Sequence, residues 1–185
     1  VSVITVSFNA AEALRRTLVS VSNQSYPNIE YIIIDGGSND GTLKLLNDPE
    51  FRISTWVSEP DNGIYDAMNK GLACASGDWV TFLNAGDVYY ENESLQKIFS
   101  VERKDDIFLL AGSSQIVVNN KVQVLLPKTF SRFNLFFWGT RVICHQAMFL
   151  RNTQLPFYDS QYKLKGELNW YFEIEKLKPE IEYVP

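Results

Sequence analysis

Short β-branched and apolar runs alternate with stretches of helical periodicity through the first half of the chain, a pattern that predicts parallel strands joined by crossover helices. Val1–Val6 reads as the first strand. Asn9 has the chemistry of a helix cap, with Glu12 three residues on as its returning partner. Leu14, Leu18 and Val21 then recur at helical spacing, so a helix is expected to run to about Gln24, ahead of Tyr26-Pro27. Tyr31–Ile34 is continuously apolar, as a strand covered on both faces should be, and it stops at Asp35-Gly36-Gly37-Ser38. Ser38 or Asn39 offers a cap for a helix through Leu46; Ile53–Val57, Ile64–Ala75 and Trp79–Leu83 follow as strand, helix and strand. Four βα units are thereby predicted.

After Asp87 the alternation fades. A helix around Leu95–Phe99, a strand at Ile107–Leu110, and a hairpin joining Gln115–Val118 to Val122–Leu126 through Asn119-Asn120 point to antiparallel additions. The aromatic-rich Phe130–Trp138, with Phe133, Phe136, Phe137 and Trp138, is read as a core helix rather than an exposed apolar surface. The last run, Ile181–Val184, is strand-like, and the ends at Val1 and Pro185 read as trimmed.

Length and composition narrow this to one domain. At 185 residues the chain can build a single buried core, and 45% hydrophobic with 21% charged residues is ordinary for a packed fold. The apolar runs are far short of the roughly 20 residues a membrane-spanning helix needs. A formal charge of -5 argues against sequence-independent nucleic-acid binding, which needs clustered Lys and Arg. Such an acidic chain holding a phosphorylated ligand would call for a divalent cation to offset the charge. Cys74 and Cys144 lack metal-ligand spacing and are read as buried free thiols in a reducing compartment.

In an open parallel sheet, ligands bind beyond the carboxyl ends of the strands. Those loops are Ser7-Phe8-Asn9, Asp35 to Asp40, Ser58 to Gly63 and Asn84 to Asp87, and each is polar or acidic. Gly36 and Gly37 do not form a dinucleotide or P-loop pattern, so phosphate must be held otherwise. Carboxylates gathered at adjoining strand ends suit a hard cation shared with substrate phosphates.

These motifs, taken in order, resemble glycosyltransferase family 2. They are Val3 to Asn9, Ile34 to Thr42, Ser58 to Gly71, with its Asp61-Asn62-Gly63-Ile64-Tyr65-Asp66-Ala67-Met68-Asn69-Lys70-Gly71, and Phe82 to Asp87. A weaker continuation runs through Cys144-His145-Gln146-Ala147-Met148-Phe149, and the nearest likeness is to bacterial exopolysaccharide enzymes of the colanic-acid type. The resemblance implies a single α/β domain of GT-A type over 1–185, with a mixed, mostly parallel sheet and helices on both faces. The nucleotide-sugar half would be about 1–90 and the acceptor-side half about 91–185. It implies an inverting transferase that uses Mn2+ or Mg2+ and moves a sugar from a nucleoside diphosphate donor, usually UDP-linked, to a glycan or lipid-linked acceptor. The expected setting is cytoplasmic, at the inner face of the plasma membrane, with any peripheral membrane association expected through segments outside this sequence.

Carried over by position, the resemblance has Ser7, Phe8 and Asn9 line the nucleotide pocket, and Asp35, with Ser38, help hold the base. Asp61, Gly63, Asp66, Asn69 and Lys70 would shape the nucleotide-sugar site, Asn84 would contact substrate, and Asp87 would hold the metal. Glu167, in the late acidic motif Tyr158 to Trp170, stands where the family's catalytic carboxylate sits, and His145 would contact diphosphate or metal. Many relatives are acidic where Gly36, Asn84 and Gly86 stand, which points to weaker metal or base binding here. Each residue also has a plain structural reading: Asp35 and Ser38 as turn residues, Glu59 and Asp61 as caps, Asp87 as a solvated carboxylate, Glu167 as an exposed helix start, His145 as a packed side chain. Two rival functions stay open, a degenerate nucleotide- or glycan-binding module and a nucleotidyltransferase; Ser7 to Ala11 lacks the latter's glycine-rich, basic loop.

Overall fold

The computed structural model describes residues 1–119, 121–153, 155–162 and 164–184. Four strands, β1 (Ser2–Ser7), β2 (Glu30–Asp35), β3 (Thr55–Ser58) and β4 (Trp79–Phe82), run parallel. They are linked by helices α1 (Ala11–Ser22), α2 (Thr42–Leu46) and α3 (Ile64–Cys74). Helix α4 (Ser94–Phe99) leads to β5 (Ile107–Ala111) and to the separate hairpin β6 (Ser114–Val118) and β7 (Lys121–Leu125). Helix α5 (Arg132–Trp138), β8 (Met148–Arg151), α6 (Gly166–Lys176) and β9 (Glu180–Tyr183) complete the chain. The sheet order is β3-β2-β1-β4-β8-β5-β9, with β8 antiparallel to both neighbours.

Alternation along β1 and β2 divides the core between the sheet's two faces. Ile4, Val6, Ile32 and Ile34 pack with Tyr65, Met68 and Leu72 of α3 and with Trp170, Tyr171 and Ile174 of α6. Val3, Tyr31 and Ile33 pack with Leu14, Leu18 and Val21 of α1 on the other. Each such side chain, removed wholly from water, contributes on the order of 1.5–3 kcal/mol.

The predicted α/β architecture is present, with shifted edges and three local differences. Asn9 does not cap α1: its φ is +46°, and its side-chain oxygen accepts from the Asn39 N–H. Neither Ser38 nor Asn39 caps α2; Asp40 accepts from the N–H and hydroxyl of Thr42 instead. Most of the Phe130–Trp138 stretch is not core: Phe130 and Leu135 are buried, but the four aromatic side chains of α5 stay at the surface. Cys74 is exposed and Cys144 half-buried, so the buried-thiol reading fails for the first. Asn120 of the expected hairpin turn lies outside the described residues. Among the described residues, no helix is long and apolar enough to cross a membrane.

Candidate active site

Because β1 to β4 are parallel, their carboxyl ends deliver four loops to one edge of the sheet. β8 runs the other way, pairing Val80 with Leu150, so the residues just before it arrive at the same edge. Antiparallel insertion thus carries His145 and Gln146 to the loop after β4. The Asn84 amide meets His145 Nε2 at 3.2 Å, and Gln146 Nε2 donates to Asp87 Oδ2 at 3.0 Å. Thr17 of α1 fixes this loop from below: its hydroxyl donates to the Asp87 carbonyl at 2.8 Å and accepts from the Gly86 N–H at 2.9 Å.

The late acidic motif joins the same site through α3. Tyr65 Oη donates to Glu167 Oε2 at 2.5 Å and accepts from the Gly166 N–H at 2.8 Å. Burial, followed by the neighbouring Glu167 carboxylate, pushes the Tyr65 phenol up to about 12, so it remains a donor at neutral pH. A Cβ at Gly166 would lie 2.7 Å from the Tyr65 ring, and only glycine lets α6 begin so close. Burial holds His145 below the usual imidazole range, while the charges of Glu167 and Asp87 act in the opposite sense. Both carboxylates are therefore within electrostatic reach of one neutral imidazole.

The first three loops form the other wall. Asn9 N–H donates to Ser38 Oγ at 2.7 Å, and the Ala11 N–H donates to Asp40 Oδ2 at 2.8 Å, which ties the loops after β1 and β2 together. Phe8 projects from this wall, 62% exposed. Asp61 lies against Gly36, where an added Cβ would come 2.6 Å from its carboxylate. A carboxylate from the third loop thus fills the space that a side chain at position 36 would occupy. Ser7 is buried, and its hydroxyl has no partner among the described residues.

Several residues predicted to contact ligand have partners within the chain. Asp35 is fully buried, and its carboxylate accepts from the Ser38 N–H and hydroxyl and from the Ser58 hydroxyl at 2.7 Å. It fastens the second loop to the third rather than facing the cleft. Asn69 clamps the backbone of Tyr158, donating to its carbonyl at 2.8 Å and accepting from its N–H at 2.7 Å. Lys70 is paired with Glu59 at 2.8 Å, which holds its ammonium above the usual range, and it also lies 3.8 Å from Asp66. Asp66 accepts from the Asn62 N–H and Asp61 from the Gly63 N–H, so both shape the start of α3. Gly63 supplies the positive φ of +117° that this turn requires. Sequence reasoning missed Tyr65, Gly166, Thr17 and Gln146 as members of the site. Tyr65, Gln146 and Gly166 do stand inside the motifs that carry the resemblance, whereas Thr17 has no local signal.

The donor set suits a cation bound mainly by its ligand. Among the described residues no cluster of three His, Cys, Asp or Glu surrounds a common point. Asn84 Oδ1, however, is buried without a partner, on the same loop as the Asp87 carboxylate. One carboxylate with one amide oxygen is the sparse protein contribution expected where phosphates fill most of a hard cation's coordination.

A family model described as Glycosyl transferase family 2 matches residues 2–160. The uncharacterized glycosyltransferase MT1564 of Mycobacterium tuberculosis is 39% identical over 153 residues, covering 80% of this chain and 57% of the relative. A PGL/p-HBAD biosynthesis glycosyltransferase of Mycobacterium bovis is 32% identical over 154 residues, 81% of this chain and 58% of that protein. The chain spans little more than half the length of these curated relatives. In fold it is similar to S. aureus TarS 1-349 in complex with UDP, with a TM-score of 0.80 at 16% identity over 99% of this chain and 57% of that one. It is also similar to the mannosyltransferase PcManGT of Pyrobaculum calidifontis in complex with GDP-Man and Mn2+, with a TM-score of 0.71 at 17% identity, 100% and 54% covered. These likenesses establish the GT-A fold.

Proposed function

The chain belongs to glycosyltransferase family 2, and we propose that it transfers a sugar, with inversion, from a nucleoside diphosphate donor to a glycan or lipid-linked acceptor. The observation that supports this reading is the meeting of Asn84 with His145 and of Asp87 with Gln146 beyond β4, with Glu167 held by Tyr65 at the start of α3, all at the carboxyl edge of the parallel strands. A UDP-sugar is the first donor to test, since TarS is described in complex with UDP and UDP-GlcNAc, whereas PcManGT is described with GDP-Man.

Phe8, Asn9 and Asp61 form the wall assigned to the nucleotide, with Asp35 and Ser38 positioning the loops. Asp87 and Asn84 are the groups that would hold Mn2+ or Mg2+, which supplies charge stabilisation to the leaving diphosphate. Glu167 serves as the base. The acceptor oxygen forms its bond to the anomeric carbon while its proton passes to the Glu167 carboxylate. The bond from that carbon to the diphosphate oxygen breaks, and the nucleotide leaves with the electron pair. Tyr65 orients the carboxylate oxygen that its hydroxyl touches. A bacterial exopolysaccharide, assembled on the cytoplasmic side where nucleotide sugars occur, is the proposed product class; only the motif resemblance supports it, and the curated relatives MT1564 and the PGL/p-HBAD biosynthesis enzyme are mycobacterial glycosyltransferases.

Calorimetric titration of UDP and GDP, with and without Mn2+, tests the donor side. The expected result is metal-dependent binding of UDP that Asp87→Ala abolishes. A folded chain that binds neither nucleotide in metal would turn the reading toward a degenerate module.

A further inference from the structure

Four aromatic side chains on α5 face outward. Phe133, Phe136, Phe137 and Trp138 are 70%, 81%, 66% and 50% exposed. The phenyl rings meet one another instead of the core, Phe133 with Phe137 at 4.7 Å and Phe136 with Phe137 at 5.8 Å between centroids. The β6–β7 hairpin, which stands apart from the main sheet, leaves Val117, Val122 and Val124 on one of its faces, and Leu126 just after it, more than half exposed. A cleft of about 190 Å3 joins this hairpin to the turn after α5, with Ile116, Leu126, Arg141 and His145 in its lining. Large apolar side chains exposed in groups, as on this helix and this hairpin, are uncommon on monomeric soluble surfaces and mark interaction sites.

The chain segment that carries these side chains has charge of one sign. Between Ile107 and Tyr158 the sequence holds Lys121, Lys128, Arg132, Arg141 and Arg151 and neither Asp nor Glu. The other 133 residues carry all 22 acidic side chains and 12 of the 17 basic ones. Lys121, Lys128, Arg132 and Arg141 are exposed, and among the described residues none of them is ion-paired. The Lys128 ammonium lies 4.5 Å over the Trp138 ring, so charge and apolar surface are interleaved.

We propose that α5 and the β6–β7 hairpin dock the chain onto a lipid bilayer bearing anionic headgroups. Aromatic rings reach the boundary between headgroups and acyl chains, and neighbouring Lys and Arg side chains meet the anionic surface. A second copy suits the face poorly, since a two-fold contact would set like charges against each other. The acidic remainder of the chain repels the same membrane and fixes the orientation. The His145 cleft then opens beside the bilayer. This inference rests on the surface alone and is independent of the donor chemistry.

The test is co-sedimentation with vesicles of phosphatidylcholine containing about one third phosphatidylglycerol, against phosphatidylcholine alone. Binding to the anionic vesicles is expected to weaken with added salt and to fall about fivefold for each of Arg132→Gln and Arg141→Gln. The triple variant Phe133→Ser, Phe136→Ser, Phe137→Ser should lose more than tenfold, while its unfolding midpoint stays near that of the parent because the rings are already exposed. No vesicle binding by the parent chain overturns the inference. So does binding that the triple variant retains in full, and so does a parent that dimerises by light scattering through these phenylalanines while ignoring vesicles.

Discussion

Replacing Tyr65 with phenylalanine removes one oxygen and tests whether Glu167 is held for a purpose. That oxygen donates to Glu167 Oε2 and accepts from the Gly166 N–H, so its loss breaks a charge-assisted hydrogen bond and leaves a buried N–H without its acceptor. A hydrogen bond to a charged group is worth about 1.5–3 kcal/mol, and the lower end applies because Glu167 is only half-buried. The stranded N–H adds about 1 kcal/mol more. Urea unfolding of Tyr65→Phe, Glu167→Gln and the double variant should therefore give a coupling energy of about 1.5 kcal/mol rather than additive losses. Catalysis supplies a readout that packing alone does not. A base displaced by about 1 Å costs on the order of a hundredfold in rate, so Tyr65→Phe should lower kcat by ten- to a hundredfold with donor KM little changed. Additive unfolding energies, or full kcat in Tyr65→Phe, would refute the pairing as a working unit.

Three further outcomes follow from the same contacts. Gly166→Ala drives a methyl group into the Tyr65 ring at 2.7 Å, so α6 must shift, and kcat should fall at least tenfold while the nucleotide dissociation constant holds. Asn69→Ala breaks both hydrogen bonds to the Tyr158 backbone and should cost about 2–3 kcal/mol in unfolding free energy; a nucleotide-affinity loss without a stability loss would return Asn69 to the ligand. The Tyr65 phenol, raised to about 12, binds its proton more tightly folded than unfolded. Its stabilising contribution is whole below pH 10 and disappears as pH climbs toward 12. Glu167→Gln should lower its titration midpoint yet keep it above 10, as read by NMR of ring-labelled tyrosine, because burial persists; an unchanged midpoint would mean the two groups do not interact in solution.

The parallel half of the sheet was legible because its strands are buried on both faces and stop at polar turns, as Tyr31–Ile34 does before Asp35-Gly36. Asp87 and Asn84 were legible for the same reason: they stand directly after a buried strand. The pairing of Asp87 with Gln146 and of Asn84 with His145 was not, since it depends on β8 running antiparallel, and no local pattern encodes strand direction. Asn69 and Lys70 show the opposite limit. Their polar heads suit a ligand, but the fold places Tyr158 and Glu59 beside them, and those partners arrive from distant or irregular chain. Helix α5 misled for a further reason. Aromatic content predicts burial only where neighbouring elements cover the helix, and here just Leu135 finds the core.

The measurement closest to the central claim is release of nucleoside diphosphate from a panel of UDP- and GDP-sugars in Mn2+, comparing the unaltered chain with Asp87→Asn and Glu167→Gln. The account predicts release from at least one donor by the unaltered chain, loss of donor binding in Asp87→Asn, and retained binding with little release in Glu167→Gln. Release that survives both substitutions, or none from a folded chain that binds its donor, would contradict it.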